Sequence, residues 1–407
     1  MSTASHIAVF CIPASGHVHP TLPIVSELVG RGHRVSYATT ADFAPRVAAT
    51  GATPVVCASA LPSMTRGESY PHDDAVAMYD LFLQEAVTSL PDQSAAFGAD
   101  RPDVILYDYA SFNAQILARR WGIPSVRTSP THVSGPEFAD ELDLVNFALE
   151  QNPAWEAHRR AFRQFLDAGG IDLGIDEAIY RGRADRYLAT IPREIQRDAD
   201  RLDDRYTFVG PCIDERPHDG RWERPADGRP VLLVSMGSVR AVETGFYELC
   251  LRAFGGSRWR VVLVAGAAAD LSAFGELPDG FEVHRSVPQL SVLAQSACFV
   301  THAGMGSVLE GLYYGVPMVT LPQGFDGFDN AAALDRLGVG VTLGFDDLTA
   351  PRLRAAVDGL ADDPAVPGRL AALRTAMREA GGARAAADVV EQCLDGSVLV
   401  RSSAAAT

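Results

Sequence analysis

Residues 299–330 read FVTHAGMGSVLEGLYYGVPMVTLPQGFDGFDN. An apolar run ending at Thr301 and His302 has the length and composition of a buried strand. Gly304 and Gly306 follow, and Ser307 opens a stretch with helical spacing. The pattern predicts a strand, a glycine turn and a helix. Unpaired N–H groups at a helix start, together with the positive end of its dipole, form an anion site. Glycine lets the backbone approach a phosphate closely. Ser307 adds a hydroxyl and His302 an imidazole. Glu310, one turn beyond Ser307, stands on the same helix face, from which a carboxylate can accept bonds from a ribose diol. The next strand ends at Pro322 and Gln323, ahead of Asp326, which places a carboxylate suited to sugar hydroxyls beside the phosphate site. Asp326 would equally serve as N-cap of the helix through Asn330.

On either side of this stretch short apolar runs alternate with amphipathic ones. Strands are expected at 231–236, 260–265, 281–283, 299–302 and 317–321, and helices at 246–253, 306–314, 330–337, 352–360, 368–380 and 383–394. The rhythm breaks at residues 211–229, rich in Pro, Asp, Arg and Gly, and this segment reads as an interdomain linker. Before it, strands are expected at 6–12, 34–39, 103–108, 125–129 and 186–191, with helices at 20–30 and 113–121. Continuous apolar strands alternating with helices predict parallel sheets covered on both faces. The fold class is α/β, with two doubly wound, Rossmann-like domains, residues 1–210 and 230–394, facing across a cleft. A small-residue tail, 395–407, is expected to be disordered. Ligands of such sheets bind beyond the carboxyl ends of strands, so the cleft is the expected site. Residues 61–86 and 134–182 are less regular. Their aromatics, among them Tyr70, Tyr79, Phe138, Phe147, Trp155 and Phe162, either wall an acceptor pocket or belong to ordinary amphipathic helices.

The 407 residues are 47% hydrophobic and 21% charged, ordinary globular composition for about two domains of roughly 150–200 residues. The net charge of −16 disfavours nucleic acid as the main partner, because phosphate backbones call for a basic surface. None of the six cysteines forms a C-x-x-C pair, which fits buried reduced thiols in a cytoplasmic protein. Residues 1–6 carry no basic and apolar leader. No apolar run reaches the roughly 20 residues that span a bilayer, so no stable membrane insertion is expected.

The first expected strand runs into Pro13, Ala14, Ser15, Gly16, His17, Val18, His19 and Pro20. A histidine at the mouth of this strand, with an ordinary pKa of about 6.5, suits a general base at neutral pH. Such a base needs a carboxylate to fix its tautomer and to stabilise the imidazolium. Asp108, at the end of another strand of the same domain, can supply it. His19 is the rival and is read as helix-start chemistry. No D-x-D motif stands at a strand end, and no metal is assigned.

The segment 299–330 resembles the nucleotide-sugar signature of family 1 glycosyltransferases, the inverting GT-B enzymes. The opening HIAVFCIPASGHVHPTLPIVSELVGRGHRVSYATT at 6–40, YTFVGP at 206–211 and VSMGS at 234–238 resemble the bacterial macrolide-transferring branch, so the likeness covers nearly the whole chain. It implies that His302, Gly304, Gly306 and Ser307 contact the donor diphosphate, with Gly237 and Ser238 facing it. It implies that Glu310 holds the ribose, that Asp326 and the adjoining Gly327 meet the donor sugar, and that His17 and Asp108 form the catalytic dyad. The family's V-P-Q element is Val287, Pro288 and Gln289, with the Val287 backbone against the base. Two positions depart from the family: Ser286 stands where a stacking Trp is usual, and Gly327 where Gln is usual. The domain 1–210 would bind the acceptor and 230–394 the nucleotide sugar, with the last helix returning to the first domain.

The reading that follows is inverting transfer of a hexose, from UDP-glucose, to a hydroxyl of a macrolide or related polyketide. A TDP-deoxysugar is the alternative donor. The partners are this small-molecule acceptor and the nucleotide sugar, a co-substrate, and no cofactor is expected. A Rossmann oxidoreductase is disfavoured because the first turn lacks G-x-G-x-x-G. A sugar-nucleotide epimerase can share the fold, but a His–Asp pair on the acceptor side favours transfer. A non-catalytic helper of the same fold would not need His17, Asp108 and Glu310.

Overall fold

The computed structural model describes residues 4–63, 70–71, 74–133, 149–213, 220–237, 244–266, 269–324 and 326–395. Ser238, Phe138, Phe147 and nearly all of the expected tail lie outside the described residues. The chain divides into two compact units, Met1–Ile213 with Ala380–Thr407, and Asp214–Glu379.

The first unit runs β1 His6–Phe10, α1 Ser15–Gly30, β2 Arg34–Thr39, α2 Ala44–Ala49, β3 Thr53–Val56, α3 Ala75–Ala99, β4 Val104–Asp108, α4 Phe112–Trp121, β5 Ser125–Ser129, α5 Ala154–Gly169, β6 Arg186–Ala189 and β7 Tyr206–Phe208. The strands form one parallel sheet in the order β3-β2-β1-β4-β5-β6-β7. β1 and β4 are buried at every position, as befits inner strands covered on both faces.

Helix α1 begins at Ser15, five residues before the expected start, and carries Pro20 and Pro23 inside it. Each proline costs a helix interior about 3 kcal/mol. Val18, Leu22, Ile24, Val25 and Leu28 are buried along the same helix, at about 1.5–3 kcal/mol each, and that outweighs the two prolines. The irregular stretch 61–86 contains the start of α3, which Asp74 caps by accepting from Ala77 N–H at 3.0 Å. α3 and α5 pack Val76, Leu83, Trp155, Phe162 and Phe165 into one apolar cluster with Phe112 and Ile116 of α4.

The second unit runs β8 Val231–Ser235, α6 Thr244–Phe254, β9 Arg260–Val264, β10 Phe281–His284, α7 Gln289–Leu293, β11 Ser296–Thr301, α8 Met305–Tyr314, β12 Met318–Thr320, α9 Gly327–Leu337, β13 Gly340–Thr342, α10 Ala350–Asp362 and α11 Val366–Glu379. Its parallel sheet has the order β10-β9-β8-β11-β12-β13. Both sheets therefore reverse their winding at one place, between β1 and β4 in the first and between β8 and β11 in the second. Trp222, in the segment expected to be linker, is tied to this unit: its backbone N–H donates to Ser291 Oγ and its indole N–H to Glu282 Oε2, each at 3.0 Å.

The last helix, α12 Gly382–Leu394, belongs to the first unit. Gly382 N–H donates to Val209 O at 2.8 Å, and Ala386, Ala387, Val389, Val390 and Cys393 join the core beneath β1 and α1. Around this contact Arg31 Nη1 donates to Asp388 and Glu391 at 2.6 Å each, and its Nε to Glu27 at 2.9 Å. His33 accepts from Ser5 N–H at Nδ1, so its Nε2 carries the proton given to Glu391 at 3.0 Å. Ion pairs with exposed members are worth about 1 kcal/mol or less, whereas each buried valine is worth about 1.5–3 kcal/mol. Apolar burial holds the helix and the charges set its register. Burial pushes the Glu391 carboxyl up, but the bonds from His33 and Arg31 outweigh it and hold the group below its ordinary 4.5. A carboxyl lowered in the folded state stabilises above its unfolded pKa and loses that contribution as pH falls through the folded value. The urea midpoint should therefore drop as pH falls below 4.5, and in Glu391→Gln that part of the drop should be missing.

Candidate active site

In a doubly wound sheet, the two strands flanking the winding reversal end without a crossover above them, and groups at their carboxyl ends are left to face a ligand. In the first unit those strands are β1 and β4. The turn after β1 delivers His17 into the first turn of α1, and Asp108 is the last residue of β4. His17 Nδ1 and Asp108 Oδ2 are 2.9 Å apart. Asp108 is 1% exposed and its Oδ1 accepts from Ala110 N–H at 3.0 Å, so both carboxylate oxygens are engaged. An ionised Asp108 accepts the Nδ1 proton, which leaves Nε2 as the basic nitrogen of a neutral imidazole. The Tyr109 ring lies beside His17, centroids 5.5 Å apart. His19, inside α1, accepts from Arg46 at 3.1 Å.

In the second unit the equivalent strands are β8 and β11. Gly237 follows β8 with φ of 84°, and His302 follows β11. A Cβ on Gly237 would lie 2.5 Å from His302 Cε1, and one on Gly304 would overlap His302 Nε2. The imidazole is thus seated against two glycines, which explains why both turns lack side chains. Its buried Nδ1 has no hydrogen-bond partner. Ala303, fully buried, takes φ of 63°, a left-handed conformation that costs a residue with a Cβ about 1–2 kcal/mol. This twist turns the chain from β11 into α8, whose N-cap Gly304 makes no side-chain cap bond. Among the described residues no side chain of the N-cap closes this helix start, which leaves the first-turn N–H groups around Gly306 and Ser307 in the arrangement an anion site uses. Asp326 stands at the N-cap of α9 and its side chain makes no capping bond, so capping does not account for this carboxylate.

Gln289, at the start of α7, donates from Nε2 to Glu310 Oε2 at 2.6 Å. The structure thus brings together two of the nucleoside-binding candidates. Val287 is half-buried and Ser286 exposed at the end of β10. Gly327 is buried, and a Cβ there would come within 3.1 Å of His302 O, so the position that departs from the family is one where α9 presses on the turn.

Set beside known proteins, the chain is 41% identical over 393 residues to the oleandomycin glycosyltransferase of Streptomyces antibioticus, covering 96% of this chain and 91% of that one. The chain belongs to the macrolide glycosyltransferase branch of the GT-B enzymes. It is also 34% identical to an NDP-glycosyltransferase of Bacillus licheniformis, over 96% of this chain and 98% of that protein. The glycosyltransferase of kitacinnamycin matches in structure with a TM-score of 0.90 and 43% identity, over 97% of this chain and 100% of that chain. The family model described as erythromycin biosynthesis protein CIII-like, C-terminal domain, matches residues 259–395. Among the described residues no helix is long and apolar enough to cross a membrane.

Three residues of this glycosyltransferase's candidate site escaped sequence reading. Asn330, 1% exposed, donates from Nδ2 to Ala303 O at 2.9 Å. Gln323, just past β12, has a buried Oε1 without a partner. Arg127, buried in β5, donates to Tyr109 O at 3.2 Å and to Ile179 O and Tyr180 O at 3.0 and 2.8 Å, tying the residue after Asp108 to a single π-turn at Glu177–Arg181. Only a buried arginine inside a strand run hinted at the last.

Burial pushes the His302 imidazole below its ordinary 6.5, and Asp326 pulls it part of the way back. An NMR pH titration of the free protein should place the His302 inflection below 6.5, and Asp326→Asn should lower it further.

Proposed function

We propose that this glycosyltransferase transfers a hexose, with inversion, from a nucleoside diphosphate sugar to a hydroxyl of a macrolide or related polyketide. The observation that carries this reading is the His17–Asp108 contact: a buried, doubly engaged carboxylate on Nδ1 of a histidine whose Nε2 is left basic. His17 Nε2 takes the acceptor's hydroxyl proton as that oxygen forms its bond to the anomeric carbon. The bond from that carbon to the diphosphate oxygen breaks, and the diphosphate leaves with the electron pair. Its developing charge falls to His302, Ser307 and the uncapped α8 N-terminus. These groups stabilise the leaving group without a divalent cation. Glu310 holds the ribose, with Gln289 fixing its carboxylate, and Asp326 holds sugar hydroxyls.

UDP-glucose is the donor this reading favours. A TDP-deoxysugar is the second reading, and a specific observation supports it: at Gly327, pressed on His302 O, no side chain can bond the sugar hydroxyls that a deoxysugar lacks.

The test is release of nucleoside diphosphate from UDP-glucose and from a TDP-deoxysugar across a panel of macrolides and other polyketides. Acceptor-dependent release should continue in EDTA. Loss of a general base costs about 10²–10⁴-fold, so His17→Ala should lower kcat by that factor. Asp108→Asn, which disturbs the tautomer, should cost up to about 10⁴-fold. Release that survives His17→Ala undiminished would rule out the assigned base, and binding of donor without turnover on any acceptor would favour a helper role.

A further inference from the structure

We propose that Asn330 is a positioning residue for the donor diphosphate, acting through the strained turn His302–Ala303–Gly304. The inference rests on the reading of that turn as the diphosphate site. Ala303 is a residue with a Cβ held at φ of 63°, where such residues persist only when their surroundings over-determine them. In this conformation its carbonyl is turned to the interior, and a buried carbonyl needs a donor. Asn330 Nδ2 is that donor, at 2.9 Å, from a side chain that is itself 1% exposed.

The preceding carbonyl is held from the same helix. Gly327, the first residue of α9, packs so closely on His302 O that a Cβ would stand 3.1 Å from it. Two successive carbonyls of the turn therefore meet two residues three apart in α9, one by close approach and one by a hydrogen bond. Those two contacts set where the His302 ring lies against Gly237 and Gly304, and how the first N–H groups of α8 are aimed. Asp326 adjoins Gly327 in sequence, so the helix that steadies the diphosphate turn also carries the sugar-binding candidate. Without the Asn330 bond, Ala303 can relax toward a negative φ. The imidazole and the α8 N-terminus would then lose their common aim, and donor binding would suffer while the acceptor side stays intact.

The experiment is calorimetric binding of UDP and of TDP to the full chain, with steady-state kinetics on the better donor. Asn330→Asp keeps the side chain's size but cannot donate. It should weaken nucleoside diphosphate binding about tenfold and raise the donor KM, with the acceptor KM nearly unchanged, while the thermal midpoint falls because a buried carboxyl then faces a buried carbonyl. Asn330→Ala should show the same loss. Ala303→Gly in the Asn330→Ala background should recover most of it, because glycine adopts this φ without strain, and a merely structural role for Asn330 would give no such rescue. Should Asn330→Asp fail to fold, the neutral Asn330→Ser is read in the same way. His302→Ala is the control on the site itself. Binding unaffected by His302→Ala would overturn the diphosphate reading and this proposal with it. Binding that depends on His302 yet changes less than about twofold in folded Asn330→Asp, or a double variant no better than Asn330→Ala, would overturn the proposal alone.

Discussion

Each sheet of this protein reverses its winding once, and the polar groups of the site depend on that reversal. Where consecutive crossovers go to opposite faces, two neighbouring strands end with no connection laid over them. β1 and β4 end this way in the first unit, β8 and β11 in the second. Elsewhere the strand interiors are mostly apolar because helices cover both faces, with buried exceptions such as Arg127 in β5. At these ends the chain places a buried carboxylate against an imidazole, Asp108 with His17, and an imidazole against two glycines, His302 with Gly237 and Gly304.

The two ends are built on opposite electrostatic principles. In the first unit a carboxylate with both oxygens engaged polarises a histidine toward accepting a proton. In the second, burial lowers the basicity of His302, and a helix start without a side-chain cap gathers N–H groups. One end pairs an imidazole with a carboxylate, and the other seats an imidazole against glycines at a helix start.

The strain at Ala303 and the close approaches at Gly237, Gly304 and Gly327 belong to one packing problem: β11 must turn abruptly into α8 with an imidazole inside the turn. Glycines solve it by removing side chains, and Ala303 by accepting an unfavourable φ that Asn330 compensates. In the first unit α12 completes the core beneath β1 and α1, with apolar residues supplying most of the holding energy and the Arg31 and His33 network selecting its position.

By itself the sequence determined the two α/β units, their parallel strands and the strand–glycine turn–helix at 299–314, while the pairing of His17 with Asp108 came from the family resemblance. These are local matters of apolar runs, breaks in rhythm and polar residues at strand ends, and they survive without knowledge of neighbours. It placed the start of α1 at Pro20 rather than Ser15, because Pro20 reads as a first helical residue while the burial of Val18, which extends the helix back, is settled only against the sheet. It left Asp326 open between capping and binding, since only the geometry of α9 shows the absent cap bond. It passed over Asn330, Gln323 and Arg127, whose partners lie on other elements. Periodicity records which residues are apolar, whereas a hydrogen bond from α9 to a left-handed alanine 27 residues away exists only once the sheet has brought the two together.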